Sequence, residues 1–211
     1  MNPDQFPDLI LPQLATLAPA PPEGEAWLHE VKFDGFRLLS SKDGDRVEFY
    51  TRNGHRWSDK FPAIAAEVRQ LKAERLWLDG EIVVMTGEGR SCFGSLQMAI
   101  AEKNQSCLAY YVFDLLFQER NLCLEPLEVR KHMLHDLVHN TWNLYYVDFQ
   151  RGYGPEFFEA ACAQQLEGIV SKKADSIYRP GTRSRTWLKS KYRGFHAVRN
   201  VVWKWWQKNE Q

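Results

Sequence analysis

A lysine two residues before an Asp-Gly pair is the first group in this chain that could do chemistry. The run Glu30-Val31-Lys32-Phe33-Asp34-Gly35-Phe36-Arg37 reads as a strand, a tight turn and the start of a second strand. Such a turn holds the lysine rigidly and lets backbone approach a ligand. Lysine attacks only as the free amine, which neighbouring cations or desolvation must favour. Lys172, Lys189 and Lys191 are the candidate cations. Taken alone, the run fits a surface hairpin with ordinary charges equally well.

Four further strings shift the balance. Asp79-Gly80-Glu81 places a carboxylate after a turn, and Tyr110-Tyr111-Val112-Phe113 is an apolar strand that could offer an aromatic face to a base. Glu167-Gly168-Ile169-Val170-Ser171-Lys172 sets a carboxylate and a lysine around a glycine. Trp187-Leu188-Lys189-Ser190-Lys191 puts two lysines at strand period two, so both point to one face. Like charges on one face repel unless an anion lies between them, and a phosphate is the natural guest.

The elements that must carry these groups alternate between hairpin strands and a few helices. Strands are expected over 27–31, 36–40, 47–51, 108–117, 168–171 and 187–191, with a strand–turn–strand over 77–85. Asp43-Gly44, Asn53-Gly54 and 179–182 read as turns. Helices are expected over 61–71, 93–101, 127–140 and 155–165. The Pro-rich opening, residues 1–24, reads as an extended arm lying on the domain. The class is therefore α+β with mostly antiparallel sheets, in one domain over 1–211.

Formal charge sums to zero, but unevenly. Residues 1–30 carry −5, residues 31–165 carry −3, and residues 166–211 carry +8. The basic C-terminal segment suits a polyanionic partner. No stretch approaches 18 apolar residues and the N-terminus has no basic, apolar leader, so a cytoplasmic protein without a membrane span is expected. Cys92, Cys107, Cys123 and Cys162 form no C-x-x-C pair and read as reduced thiols, Cys107 and Cys162 in the core. His132, His135 and His139 share one helix face, with Asp136 pointing elsewhere, and read as a solvated face.

The ordered set of strings resembles the nucleotidyltransferase motifs of ATP-dependent DNA ligases, from about Leu11 to Tyr192. Leu11-Pro12-Gln13-Leu14-Ala15, Thr51-Arg52-Asn53-Gly54, Phe93-Gly94-Ser95-Leu96-Gln97 and Tyr178-Arg179-Pro180-Gly181 resemble the bacterial end-joining type. The resemblance implies an ATP-grasp-like core with the nucleotide in the cleft between sheets. It implies that Lys32 attacks the α-phosphate of ATP and holds AMP, with Lys189 and Lys191 gripping the phosphate and Lys172 joining them. Glu30 and Val31 would meet the adenine edge, Phe113 would stack on the ring, and Arg37 and Glu81 would hold the ribose. Arg52 would contact AMP or a DNA 5′-phosphate. Glu167, with Glu81, would bind magnesium or manganese. Arg52, Arg179, Arg183, Arg185 and Arg193 would meet the backbone of nicked duplex DNA.

The family usually continues into an oligonucleotide-binding (OB) barrel, for which 211 residues leave no room. A stand-alone monomeric core, a core served by a separate barrel or repair protein, and a core cut at the domain boundary all fit. Residues 195–211 read as a Trp-rich strand and tail packed on the core. An acceptor of RNA ends, or a binding module without turnover, are the alternative functions. The intact lysines and glutamates argue against the second.

Overall fold

Period-two alternation of apolar residues builds two sheets, and the surplus apolar faces recruit helices and the arm. The computed structural model describes residues 5–138 and 141–195. The expected Trp-rich strand at 201–206 and His139 lie outside them. In chain order the elements are β1 (Leu14–Leu17), β2 (Trp27–Val31), β3 (Phe36–Asp43), β4 (Arg46–Thr51), α1 (Pro62–Gln70), β5 (Arg75–Val84), α2 (Phe93–Ala101) and β6 (Leu108–Gln118). They continue with β7 (Arg120–Asn121), α3 (Leu127–Val138), β8 (Leu144–Tyr146), β9 (Gln150–Arg151), α4 (Gly154–Ala163), β10 (Gly168–Lys173) and β11 (Arg183–Lys191).

One sheet runs β1-β11-β10-β2-β9, and the other runs β4-β3-β5-β6-β7 with β8 added beside β6. Among the described residues, only β1–β11 and β6–β8 pair in parallel. The α+β class with mostly antiparallel sheets stands. The second sheet has two unlike faces. Leu38, Leu76, Leu78, Tyr110 and Val112 pack with Ile64 and Val68 of α1, Leu96 of α2 and Leu134 of α3. The opposite face presents Leu39, Trp77 and Phe113 to Trp187 of β11, to Tyr178 and to Ile10 of the arm. This second cluster joins the two sheets, and each of its residues is at most about a tenth exposed, so it fixes their spacing.

Three expectations change. The Asp34-Gly35 pair does not close a hairpin. β2 pairs with β10 and β9, whereas β3 pairs with β4 and β5, so the chain crosses between sheets just after Lys32. Asp79-Gly80 is not a turn either. β5 is one continuous strand whose register against β6 slips at Trp77/Leu78 and Asp79/Gly80, the signature of bulges. A Cβ at Gly80 would stand 2.5 Å from the Tyr110 ring, so glycine here serves close packing. The arm is partly a strand, since β1 pairs with β11, and Gly181 N–H donates to the Leu11 carbonyl at 3.0 Å.

Smaller corrections concern cysteines and histidines. All four cysteines are free, but Cys107 and Cys162 are half-buried and only Cys123 is buried. Asp136 does not point away from the histidines. Its carboxylate lies 3.8 Å from His132 Nε2 and 3.7 Å from His135 Nδ1, all three exposed. Among the described residues no three His, Cys, Asp or Glu side chains could hold a metal ion, and no helix is long and apolar enough to cross a membrane.

Candidate active site

The crossing between sheets makes the site. β2 ends at Val31, and Lys32 N–H donates to the Gly168 carbonyl at 2.9 Å, fixing the lysine against the start of β10. Gly168 has φ 141°, and a Cβ there would lie 2.1 Å from the Ser190 carbonyl oxygen. Only glycine lets β10 approach β11 so closely next to Glu167. Asp34 sets the far side of the crossing. Its N–H donates to Ser91 Oγ at 2.8 Å, and its carboxylate accepts from the Phe93 N–H at 3.1 Å, the first residue of α2.

Two cavities open here and share Lys32, Phe33, Arg52, Glu81 and Lys189 in their walls. The larger, about 760 Å³, is charged and also lined by Glu167, Lys191, Gln97 and Phe195. The smaller, about 170 Å³, is lined by Glu30, Val31, Arg37, Phe113, Lys172, Arg183 and Trp187 among others. Every residue expected to bind the nucleotide therefore faces one of two adjoining hollows. Arg179, Arg185 and Arg193 are exposed and line neither, whereas Arg183 sits on the rim of the smaller one.

In the larger cavity one carboxylate bridges two lysines. Lys32 Nζ lies 2.5 Å from Glu167 Oε2, and Lys191 Nζ lies 2.8 Å from Glu167 Oε1. Lys189 and Lys191 do share a face, as period two requires. Partial burial, then the neighbouring charges of Lys191 and Lys32, lowers the Lys189 pKa below the ordinary lysine value. Burial pushes the Glu81 carboxyl up to about 7, against the pull of Lys32 and Arg37. Like charges crowd this cavity, so a polyanion entering it would relieve repulsion.

The smaller cavity is aromatic with a buried charge cluster at its end. Lys172, which the resemblance groups with Lys189 and Lys191, lines the smaller cavity with Lys189 and not the larger one with Lys191. Its Nζ lies 4.1 Å from the Phe113 ring centroid and 4.3 Å from that of Trp187. Lys172 Nζ is also 2.5 Å from Glu30 Oε2, and Lys131 Nζ of α3 is 2.6 Å from Glu30 Oε1. Burial lowers the Lys172 pKa to about 8, with Glu30 opposing and Lys131 adding to the drop.

Arg37 is locked by Asp79 through two bonds of 2.8 and 2.6 Å. Tyr178 O–H donates to the same carboxylate at 2.6 Å. The Gln13 N–H of the arm donates to Tyr178 Oη at 2.8 Å, so arm, loop and Arg37 form one network. Arg37 stands 4.9 Å from the Phe113 ring, whose face it shares with the cavity. Asp79, Tyr178 and Lys131 carried no role in the sequence reading. Asp79 lies within a recognised string, but Lys131 had no signal beyond its place on an amphipathic helix.

Known proteins resemble this chain in sequence and fold. A family model described as the ATP dependent DNA ligase domain matches residues 12–191. This chain belongs to the ATP-dependent DNA ligase domain family. Among its ligase relatives is the multifunctional non-homologous end joining protein LigD of Pseudomonas aeruginosa. It is 36% identical over 193 residues, which cover 88% of this chain and 22% of that protein. The SPbeta prophage-derived DNA ligase-like protein LigB of Bacillus subtilis is 32% identical over 183 residues, covering 85% of this chain and 66% of that one. Among solved ligase structures, mycobacterial DNA ligase D complexed with ATP and MES superposes with a TM-score of 0.76 at 28% identity. That match covers 87% of this chain and 60% of the other. The chain thus spans less than two thirds of the length of these ligase relatives.

Proposed function

We propose that this chain is the catalytic core of an ATP-dependent DNA ligase, which forms lysyl-AMP on Lys32 and passes the AMP to the 5′-phosphate of a nick. One observation carries this reading. Lys32, Glu167, Lys189 and Lys191 converge on a charged hollow that adjoins an aromatic hollow closed by Phe113, Lys172 and Glu30. A triphosphate and a purine base need those two surroundings side by side.

The free amine of Lys32 attacks the α-phosphorus. A P–N bond forms, the bond to the β-phosphate oxygen breaks, pyrophosphate leaves and the amine proton passes to solvent. Phosphoryl transfer asks the protein chiefly for positioning and charge neutralisation. Lys189 and Lys191 grip the α-phosphate and neutralise the negative charge that develops as pyrophosphate leaves, and Arg52 at the shared wall reaches either AMP or the incoming 5′-phosphate. An oxygen of that 5′-phosphate then takes the AMP from Lys32. Attack by the 3′-hydroxyl forms the phosphodiester and releases AMP.

At the other end, Phe113 stacks on adenine, Glu30 accepts from its amino group, the Val31 backbone lies along its edge, and Lys172 donates to a ring nitrogen. Arg37, fixed by Asp79, and Glu81 hold the ribose. Glu167 and Glu81 are hard oxygen donors facing the larger cavity, which fits magnesium or manganese held by few protein ligands. When bound, that ion would neutralise phosphate charge. The exposed Arg179, Arg185 and Arg193, with Arg183 at the rim, would follow the backbone of nicked duplex DNA in the cytoplasm. An OB barrel, in the same polypeptide or another, or a repair protein would complete the clamp around this monomeric core.

The test is a nicked duplex labelled at its 5′-phosphate. With ATP and magnesium, AMP-capped strand and sealed product are expected. Sealing of single-stranded RNA but not of the nick would overturn the choice of acceptor.

A further inference from the structure

Glu30 is 2% exposed, and two buried lysines hold its two oxygens. Lys172 takes Oε2 and Lys131 takes Oε1. Lys131 is itself 1% exposed. It also donates to the Val147 carbonyl at 2.8 Å, and its ammonium stands 4.6 Å from the Tyr146 ring and 5.3 Å from the Phe149 ring. Lysines are almost never buried this fully unless paired. Lys131 lines neither cavity, whereas Glu30 lines the smaller one, so Lys131 can reach a ligand only through Glu30.

Building on the adenylation reading above, we infer that Lys131 is a positioning residue that makes the base end of the smaller cavity selective for a 6-amino purine over a 6-oxo purine. An ionised carboxylate only accepts hydrogen bonds. The 6-amino group of adenine donates, so it satisfies Glu30. A 6-oxo group presents lone pairs to the negative oxygen and leaves a buried acceptor unpaired. This discrimination requires the Glu30 carboxylate to be fixed in one rotamer, with both oxygens held. Without Lys131, Oε1 loses its buried partner and Lys172 alone holds the group, through Oε2. A carboxylate free to turn no longer presents a fixed acceptor to the 6-position, so it no longer penalises a 6-oxo group. Lys131 prevents that turn. Lys131 also disfavours the charge on Lys172, so its loss strengthens Lys172 as a cation while loosening the carboxylate between them.

A lysine that merely tied α3 to the sheet would look similar in a static structure. It would weaken all nucleotides alike when removed, and that difference is measurable. Equilibrium binding of ATP and of inosine triphosphate to the full chain gives a selectivity ratio for the wild type, Lys131→Met, Lys131→Gln and Lys131→Arg. The ratio is expected to favour ATP in the wild type and to fall by about tenfold in the Met and Gln variants, the scale of one mispaired buried hydrogen bond. Lys131→Arg, which keeps the charge, should restore it. In a Glu30→Gln background, Lys131→Met should change the ratio by less than about twofold, since the residue acts through Glu30. A ratio that stays within about twofold of wild type while both affinities fall together overturns the inference, as does a wild type with no preference for ATP. The binding ratio judges Lys131, and the covalent adduct on Lys32 judges the reaction, so the two fail separately.

Discussion

Lys32 Nζ lies 2.5 Å from Glu167 Oε2, so the proposed nucleophile is engaged with the carboxylate proposed to hold the metal. The same carboxylate takes Lys191 through its other oxygen. Glu167 thus positions the Lys32 amine and faces the cavity that would take the phosphates and their metal. Glu167→Gln should lower the rate of AMP transfer to Lys32 by about 10²-fold or more, the scale of removing one preorganised charge. ATP affinity should change by less than about fivefold. Single-turnover transfer of labelled AMP reads the first number and equilibrium binding the second. Unimpaired transfer would remove Glu167 from the mechanism.

Lys172 gives the ATP site a pH dependence. Its pKa is about 8 in the fold, below the ordinary lysine value of 10.5, because it is buried. Between those values the unfolded chain holds a proton that the folded chain has released. Stability gains from this group as pH rises through that window, and the charged form carries its full burial penalty below it. Nucleotide binding runs the opposite way. If the ammonium contacts the base, ATP affinity falls above pH 8 by up to about tenfold per unit. Lys172→Met should bind ATP more weakly at pH 7 and show no such fall. A wild-type affinity flat from pH 7 to 9 would contradict the role.

The buried pair of Arg130 and Asp114 holds the scaffold behind the site. Both side chains are 0% exposed, with bonds of 2.7 and 2.8 Å, and Arg130 also reaches the carbonyls of Glu125 and Ser176. Removing one partner strands the other charge in the interior. Arg130→Met should cost about 3–5 kcal/mol in urea denaturation, and Arg130→Met with Asp114→Leu should recover part of that loss. A single-variant cost under about 1 kcal/mol would show that water reaches the pair.

The exposed arginines predict salt-sensitive DNA binding. Affinity for a nicked duplex should fall steeply as salt rises, and Arg185→Ala or Arg193→Ala should each lower the logarithmic slope by about one. A slope that does not change with either substitution places the DNA elsewhere.

Much of the site was legible in the sequence because its residues sit in short strings. Period two placed Lys189 and Lys191 on one face, and the apolar run at 108–117 announced the central strand. Pairing was less legible, since β2 meets β10 about 140 residues downstream and nothing local encodes that partner. Asp-Gly pairs misled twice, at Asp34-Gly35 and Asp79-Gly80. There the glycines serve close packing: a Cβ at Gly35 would lie 2.3 Å from the Ile82 carbonyl oxygen. The resemblance grouped Lys172 with Lys189 and Lys191, and its place along β10 does not reveal that its ammonium turns to Glu30 beside Phe113 and Trp187. Lys131 was invisible for a related reason. Its burial comes from the Glu30 strand and the Val147 carbonyl, which fold against α3 from distant parts of the chain.

Covalent adenylylation of Lys32 is the step on which the proposed reaction depends. Intact-protein mass spectrometry after incubation with ATP and magnesium tests this directly. The wild type should gain roughly 329 Da, the mass of AMP less water, located on Lys32 by peptide mapping. Lys32→Ala should gain nothing while still binding ATP. A wild type that binds ATP without gaining that mass, or that gains it on another residue, would contradict the central claim.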